Sequence, residues 1–176
     1  MIPTLTTDRL TLRAFTQGDF EAWAGIMGDP ETMTFLGGPM APSDAWRALA
    51  VTLGHWALRG YGMWAVERRS DGALMGRVGL LQPEGWTGLE VGWTLGRPFW
   101  GYGYATEAGA AAMAYAFLTQ PDDHIVSNID PANTPSQAVA KRLGESKGPE
   151  AELVIGGKAY KVDVWRISRE EWQRRV

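Results

Sequence analysis
From Arg9 to Ala14 apolar and polar positions alternate, with Leu10, Leu12 and Ala14 on one face and Arg9, Thr11 and Arg13 on the other. That is the two-residue period of a half-buried strand. The period then lengthens: Phe20, Trp23, Ala24 and Met27 share helical spacing up to Gly28, behind a capping box of Thr16 and Asp19. Asp29-Pro30-Glu31 repeats a helix start and predicts a short helix ending at Gly37-Gly38-Pro39, a flexible pair suited to a loop beside a pocket. Ser43 is placed to cap a longer helix through Arg59, with Trp46, Leu49, Ala50, Leu53, Trp56 and Ala57 on its apolar stripe and Gly60 past its end. His55 lies beside that stripe with no second base or ligand near it, and reads as structural or solvated.

The middle of the chain returns to strand patterns. Met63 to Arg68 and Leu74 to Leu81 are joined by Arg69-Ser70-Asp71-Gly72, a hairpin signal, and a turn at 83–88 leads to a further strand from Leu89 to Leu95. Ala105 to Leu118 is alanine-rich and predicts a helix able to lie close to a sheet. His124 to Ile129 forms the next strand, expected to run parallel to the Leu89 strand through a right-handed crossover. Thr134, with Pro135 behind it and Gln137 returning a bond, caps a helix to Leu143 stopped by Gly144. Leu153 to Ile155 and Tyr160 to Ile167 flank a Gly156-Gly157 hairpin, and Arg169 to Arg175 is a short polar tail helix.

Composition narrows the class. With 176 residues, 45% of them apolar, and neither repeat nor low-complexity break, the chain predicts one domain spanning 1–176. The absence of cysteine excludes disulfides and thiolate-bound metal, and two isolated histidines argue against any metal site. A net charge of −3 lacks the basic excess of nonspecific nucleic-acid binding. Nothing resembles a signal peptide or a membrane span, so a soluble, cytoplasmic protein is expected. Most of the nine tryptophans are expected in the core or an interface.

The stretch with chemistry is 89–108, where a strand breaks at Pro98 into Trp100-Gly101-Tyr102-Gly103-Tyr104-Ala105-Thr106 and then a helix. Gly101 and Gly103 allow a backbone to approach a ligand closely, and the amides of the following helix start attract anions. A dinucleotide-binding fingerprint is disfavoured, because Thr106 replaces its third small residue and no ribose-binding acid follows a second strand. A P-loop fails for want of Gly-Lys-Ser/Thr.

Taken in order, Asp8-Arg9-Leu10-Thr11-Leu12-Arg13, Trp100 to Ala108, Asn133-Thr134-Pro135-Ser136 and Leu143-Gly144 resemble the GNAT acetyltransferase superfamily, nearest its RimJ/RimL-type branch. The likeness covers nearly the whole chain. It implies an α/β (α+β) fold: a mixed, mostly antiparallel sheet with flanking helices, opened by a splay between two parallel strands that receives acetyl-coenzyme A. The family's pyrophosphate motif begins with Gln or Arg, where this chain has Trp100, while Gly103 and Ala105 match. Such a cradle works through backbone amides, so the expected loss is small. Arg97 is open to two readings, a phosphate contact or a solvated surface residue.

By the same resemblance, Trp93, Thr94 and Leu95 of the splayed strand bear an amide that polarises the thioester carbonyl, residues 100–106 hold pyrophosphate, Asn133 contacts the pantetheine arm, and Ser136 stands near sulfur as an acid. Taken alone, Asn133 reads as a turn residue and Ser136 as an ordinary first-turn residue. Glu90 is the candidate base, acting through water, since a partly buried carboxylate leading into the cradle is suited to a raised pKa; an exposed strand Glu is the alternative. Glu107, in the first helical turn, is assigned to the fold. Tyr102 and Tyr104 pack on coenzyme A or on the sheet. Trp23, Phe35 and the Gly37-Gly38 loop are expected walls of an acceptor pocket for a peptide or small-molecule amine. Direct attack is expected, because no Cys is available as a thiol nucleophile; a non-catalytic acyl-coenzyme A sensing module is the alternative. The chain is expected to be a monomer or homodimer.

Overall fold
The computed structural model describes residues 1–175. Its strands are β1 (Leu5–Thr6), β2 (Leu10–Arg13), β3 (Met63–Arg68), β4 (Leu74–Leu81), β5 (Glu90–Leu95), β6 (His124–Ile129), β7 (Ser146–Ile155) and β8 (Lys158–Ser168). Its helices are α1 (Phe20–Gly28), α2 (Pro42–Arg59), α3 (Tyr104–Thr119), α4 (Thr134–Leu143) and α5 (Arg169–Gln173). The strands form one sheet in the order β1-β2-β3-β4-β5-β6-β8-β7. Every neighbouring pair is antiparallel except β5 and β6, which run parallel and pair at the single register position Glu90 with Val126.

The two faces of the sheet are covered by different helices. Ala108, Ala112, Met113 and Ala116 of α3 pack on Val78, Leu80 and Val91. On the other face Trp23, Met27, Ala45 and Leu49, from α1 and α2, pack against Ala65 and Leu74. Each large apolar side chain removed from water contributes roughly 2 kcal/mol, so both layers matter to stability. The short side chains of α3 also admit α4: a Cβ at Gly109 would lie 3.0 Å from Leu143 Cδ1. That close approach sets the width of the gap between α4 and β5.

Several local expectations change. The stretch after Asp29 is a succession of turns rather than a helix, with the Asp29 carboxylate accepting from both the amide and the hydroxyl of Thr32 at 2.7 and 2.6 Å. A side chain that satisfies the backbone locally gives it an alternative to helix. The long helix begins one residue before Ser43, with Ala41 as cap and Pro42 in its first turn. Asn133, not Thr134, caps α4, its Oδ1 accepting from Ser136 N at 3.2 Å, while the Gln137 side chain donates to the Pro131 carbonyl. β1 and the first half of β7 were not expected. Gly148, Pro149 and charged residues mask β7, which forms the outer edge of the sheet with a register shift between Lys147 and Glu150, and edge strands tolerate such residues. The predicted Thr16 and Asp19 capping box is present, and His55 is structural: one ring nitrogen meets the Tyr61 carbonyl at 2.7 Å and the other accepts from Gln82 N at 3.1 Å.

Candidate active site
The site begins where β5 and β6 part. The Leu89 carbonyl accepts from Val126 N, the Val91 carbonyl from Ser127 Oγ, and the Leu95 carbonyl from Trp100 Nε1. These bonds show that the odd-numbered backbone groups of β5 face the β6 side. Beyond Val91, β6 has diverged, so the amides of Trp93 and Leu95 face the gap. Across it stands α4, where Trp93 Nε1 donates to Ser136 Oγ at 3.3 Å.

At one end of the gap lies the glycine-rich turn. Gly101 and Gly103 both adopt positive φ, +83° and +80°, as the sequence requires. Gly103 caps α3 without any side-chain bond, so the amides of the first turn are presented to the gap. Thr106 Oγ1, in that turn, is buried without a hydrogen-bond partner among the described residues, an atom suited to a ligand oxygen. Arg9 holds the turn in place: its Nη1 donates to the Tyr102 carbonyl at 3.0 Å, its guanidinium lies 4.5 Å from the Tyr104 ring, and it pairs with Glu107 at 2.7 Å. Glu107 also accepts from Thr7, so it joins α3 to the first strands as expected. Tyr104 packs at the margin of the core, while Tyr102 is mostly exposed. Arg97 pairs with Glu31 on the surface.

The other end is acidic and enclosed. Glu90 is only 8% exposed. Its Oε2 accepts from Trp86 Nε1 and from Asn128 Nδ2, the latter at 2.7 Å. Burial pushes its carboxyl up to about 7, against those two hydrogen bonds and the charge of Arg77, which pull it down. Behind it Glu145 is still more enclosed, and burial, with the Glu90 charge, pushes it up to about 8 although its bond from Ser127 pulls the other way. Ser127 Oγ lies 2.8 Å from the Val91 carbonyl and 2.9 Å from Glu145 Oε1. A hydroxyl has one proton to give, so Ser127 divides its donation between the Val91 carbonyl and Glu145.

One cavity of about 1050 Å³ connects these parts, lined by the glycine turn, Trp93, Ser136 and Glu90, and continuing to Phe35, Met63 and Arg77. That volume suits an elongated ligand with a second molecule beside it. A match to the model described as Acetyltransferase (GNAT) domain spans residues 9–145. The chain belongs to the GNAT acetyltransferase family. Among similar proteins, the uncharacterized protein YkkB of Bacillus subtilis strain 168 is 32% identical over 147 residues, 80% of this chain and 83% of its own. N-acetyltransferase YnaD of the same organism is 26% identical over 171 residues, 96% and 98% of the two chains. Among solved structures, the acetyltransferase from Agrobacterium tumefaciens C58 superposes with a TM-score of 0.83 at 32% identity over 96% of both chains. A Vibrio cholerae protein put forward as a ribosomal-protein-serine acetyltransferase reaches 0.80 at 22% identity, over 96% of this chain and 99% of its own, a likeness of fold.

Within this GNAT N-acetyltransferase domain, most residues singled out from sequence line the cavity: Glu90, Trp93, Thr94, Leu95, Trp100 to Thr106, Asn133, Ser136 and Phe35. Trp23 does not. It is fully buried between α1, α2 and the sheet, its indole donating to the Ala45 carbonyl at 2.9 Å, because a ring of that size fills the core below the cavity floor. Of the Gly37-Gly38 loop, neither glycine lines the cavity, although Leu36 before it and Tyr160 of β8 do; a Cβ at Gly37 would stand 3.3 Å from the Tyr160 hydroxyl. Sequence reading missed Arg77, Trp86, Ser127, Asn128, Glu145 and Tyr160. Arg77 left a signal, as the lone charge in the strand Leu-Met-Gly-Arg-Val-Gly-Leu-Leu. Ser127, Asn128 and Tyr160 became visible only once β6 and β8 took their places in the sheet, and Trp86 and Glu145 lie in the connections before β5 and β7.

No helix among the described residues is long and apolar enough to cross a membrane, and no group of three potential metal-ligating acids, histidines or cysteines occurs among them.

Proposed function
We propose that this GNAT domain moves an acetyl group from acetyl-coenzyme A to a primary amine by direct attack, and that it does so as a single cytoplasmic domain of the RimJ/RimL-type branch. The observation that carries this reading is the continuity of the cavity from the uncapped start of α3, past the splayed edge of β5, to the buried Glu90 carboxylate. The orphaned Thr106 hydroxyl and the positive-φ glycines fit a pyrophosphate, and the outward amides of β5 fit an extended pantetheine arm. Bound acetyl-coenzyme A supplies an activated acyl carbon. The Trp93 and Leu95 amides donate where negative charge develops on the acyl oxygen. Glu90 takes a proton from the acceptor nitrogen, directly or through water, and its pKa near 7 suits that exchange at neutral pH. Ser136 Oγ, held toward the gap by Asn133 and Trp93, delivers a proton to the departing sulfur.

Phe35 is a wall of the acceptor pocket, and the acceptor is a peptide N-terminus or a small-molecule amine. The likeness to the Vibrio cholerae structure favours the RimJ/RimL branch through fold only. The net charge of −3 speaks against nucleic acid as a partner. The chain acts as a monomer or homodimer. A purely binding, sensing role is the second reading, favoured by Trp100, whose half-exposed indole stands where the motif has a polar residue. Thiol release from acetyl-coenzyme A over a panel of amines tests the proposal: turnover supports transfer, whereas tight cofactor binding without turnover on any amine supports sensing.

A further inference from the structure
The acceptor end of the cavity contains a cation that the reaction just described does not use. Arg77 lies on β4 opposite Thr94 of β5, and Glu90 lies on the same face opposite Leu81. Between them is the pair Gly79 and Gly92. A Cβ at Gly92 would come within 3.0 Å of Met63 Cε and 3.4 Å of Glu90 Oε1, so the absent side chain is what admits the Met63 tip and the Glu90 carboxylate to this strip of the cavity wall. The guanidinium is stacked 5.4 Å from the Trp23 ring and donates to Thr52 Oγ1 at 3.2 Å. Its Nε is buried without an acceptor, and among the described residues no carboxylate lies within ion-pairing distance.

An enclosed cation with so few partners is costly, and burial pushes the Arg77 pKa down. The acid whose charge offsets this is Glu90. That compensation disappears when Glu90 takes up the acceptor's proton. The other acids on the cavity wall are engaged elsewhere: Glu31 pairs with Arg97, and Asp130 accepts from the Ala132 amide in the turn before α4. An anion carried by the acceptor itself would keep Arg77 balanced through the proton transfer. Its amine would lie toward Glu90 and its anion toward Arg77, both of which line the one cavity.

Building on the transferase reading, we infer that the acceptor is an amine that also bears a carboxylate, with Arg77 as the group that binds it. The carboxylate is either the α-carboxylate of a free amino acid or the side chain of an acidic residue at a peptide N-terminus. Polyamines and aminoglycosides are disfavoured, since they bring further positive charge against Arg77.

The test uses matched acceptors. One arm compares L-amino acids with their amides; the other compares peptide amides beginning with Asp or Glu with those beginning with Asn or Gln. Transfer is followed by thiol release, and binding of the same compounds to the protein saturated with coenzyme A is followed by calorimetry. In at least one arm the carboxylate member should be favoured by about tenfold or more, the scale of a hydrogen bond to a charged group. Arg77→Met should reduce that ratio to near one, and Arg77→Lys should retain part of it. The arm that shows the preference identifies the source of the carboxylate. Equal or reversed preference in both arms of the wild-type protein overturns the inference without any variant. So does an Arg77→Met protein that loses both members of a pair alike. If no amine is acetylated but calorimetry still ranks carboxylate above amide, the transferase reading fails while the assignment of Arg77 stands.

Discussion

Glu90 and Glu145 are two carboxyls in one enclosed region with different work to do. Glu90 borders the cavity and has hydrogen-bond donors on one oxygen, whereas Glu145 has one oxygen without any partner among the described residues. If Glu90 is the base, kcat/KM should rise with pH through about 7 and level off above it. Glu90→Gln should lower kcat by about a hundredfold or more, abolish that rise and leave coenzyme A affinity unaffected. A pH-rate profile of both proteins checks this. For Glu145 the consequence is one of stability. Its folded-state pKa is raised to about 8 by burial, above its unfolded value, so the folded protein binds the proton more tightly and loses stability as pH rises between those two values. Glu145→Gln keeps the neutral form's shape. Thermal unfolding from pH 5 to 8 should show a flatter decline in Tm for that variant, and a parallel decline would mean that Glu145 is not held neutral. Neither environment was legible in the sequence beyond the suggestion that Glu90 is partly buried. Trp86 reaches Glu90 from the turn four residues before it, whereas Asn128 is distant in sequence and meets it only through the β5 to β6 register.

At the level of elements, α4 and β5 form the two sides of the gap, and their separation is set by small contacts. Gly109 allows Leu143 to approach α3, so Gly109→Leu should force α4 outward, lower stability by about 1–3 kcal/mol and weaken coenzyme A binding. Chemical denaturation and calorimetry would measure the two effects. Asn133→Ala removes the cap of α4 and should cost about 1 kcal/mol. It should also lower kcat, since the same bond orients Ser136. Elements with a clear period could be read in advance: β3, β4 and β6 have the expected limits, and α3 differs by one residue at either end. The failures have a common physical origin. The turns after Asp29 follow from a side chain bonding locally, and β7 lies at an edge where partners on one side only, together with tolerance of Pro149, weaken the apolar signal.

For the whole molecule, the glycine turn and the capped α4 made the fold legible in sequence, because both rest on short motifs with defined backbone geometry, and both line the cavity. The acceptor end was not legible, because it is assembled by the β7–β8 hairpin, the turn after α1 and one face of β4 and β5. Its residues have no common spacing along the chain. Trp23 illustrates the difficulty: expected as a wall of the acceptor pocket, it is held in the core by its bulk and its bond to Ala45. The central claim is that cradle, splay and Glu90 act as one transferase site. It is tested most directly by measuring thiol release from acetyl-coenzyme A by the wild-type and Glu90→Gln proteins over a panel of neutral, acidic and basic amines. The account predicts turnover on at least one amine and its loss by about a hundredfold in the variant. Absence of turnover on every amine, or equal rates for the two proteins, would contradict it.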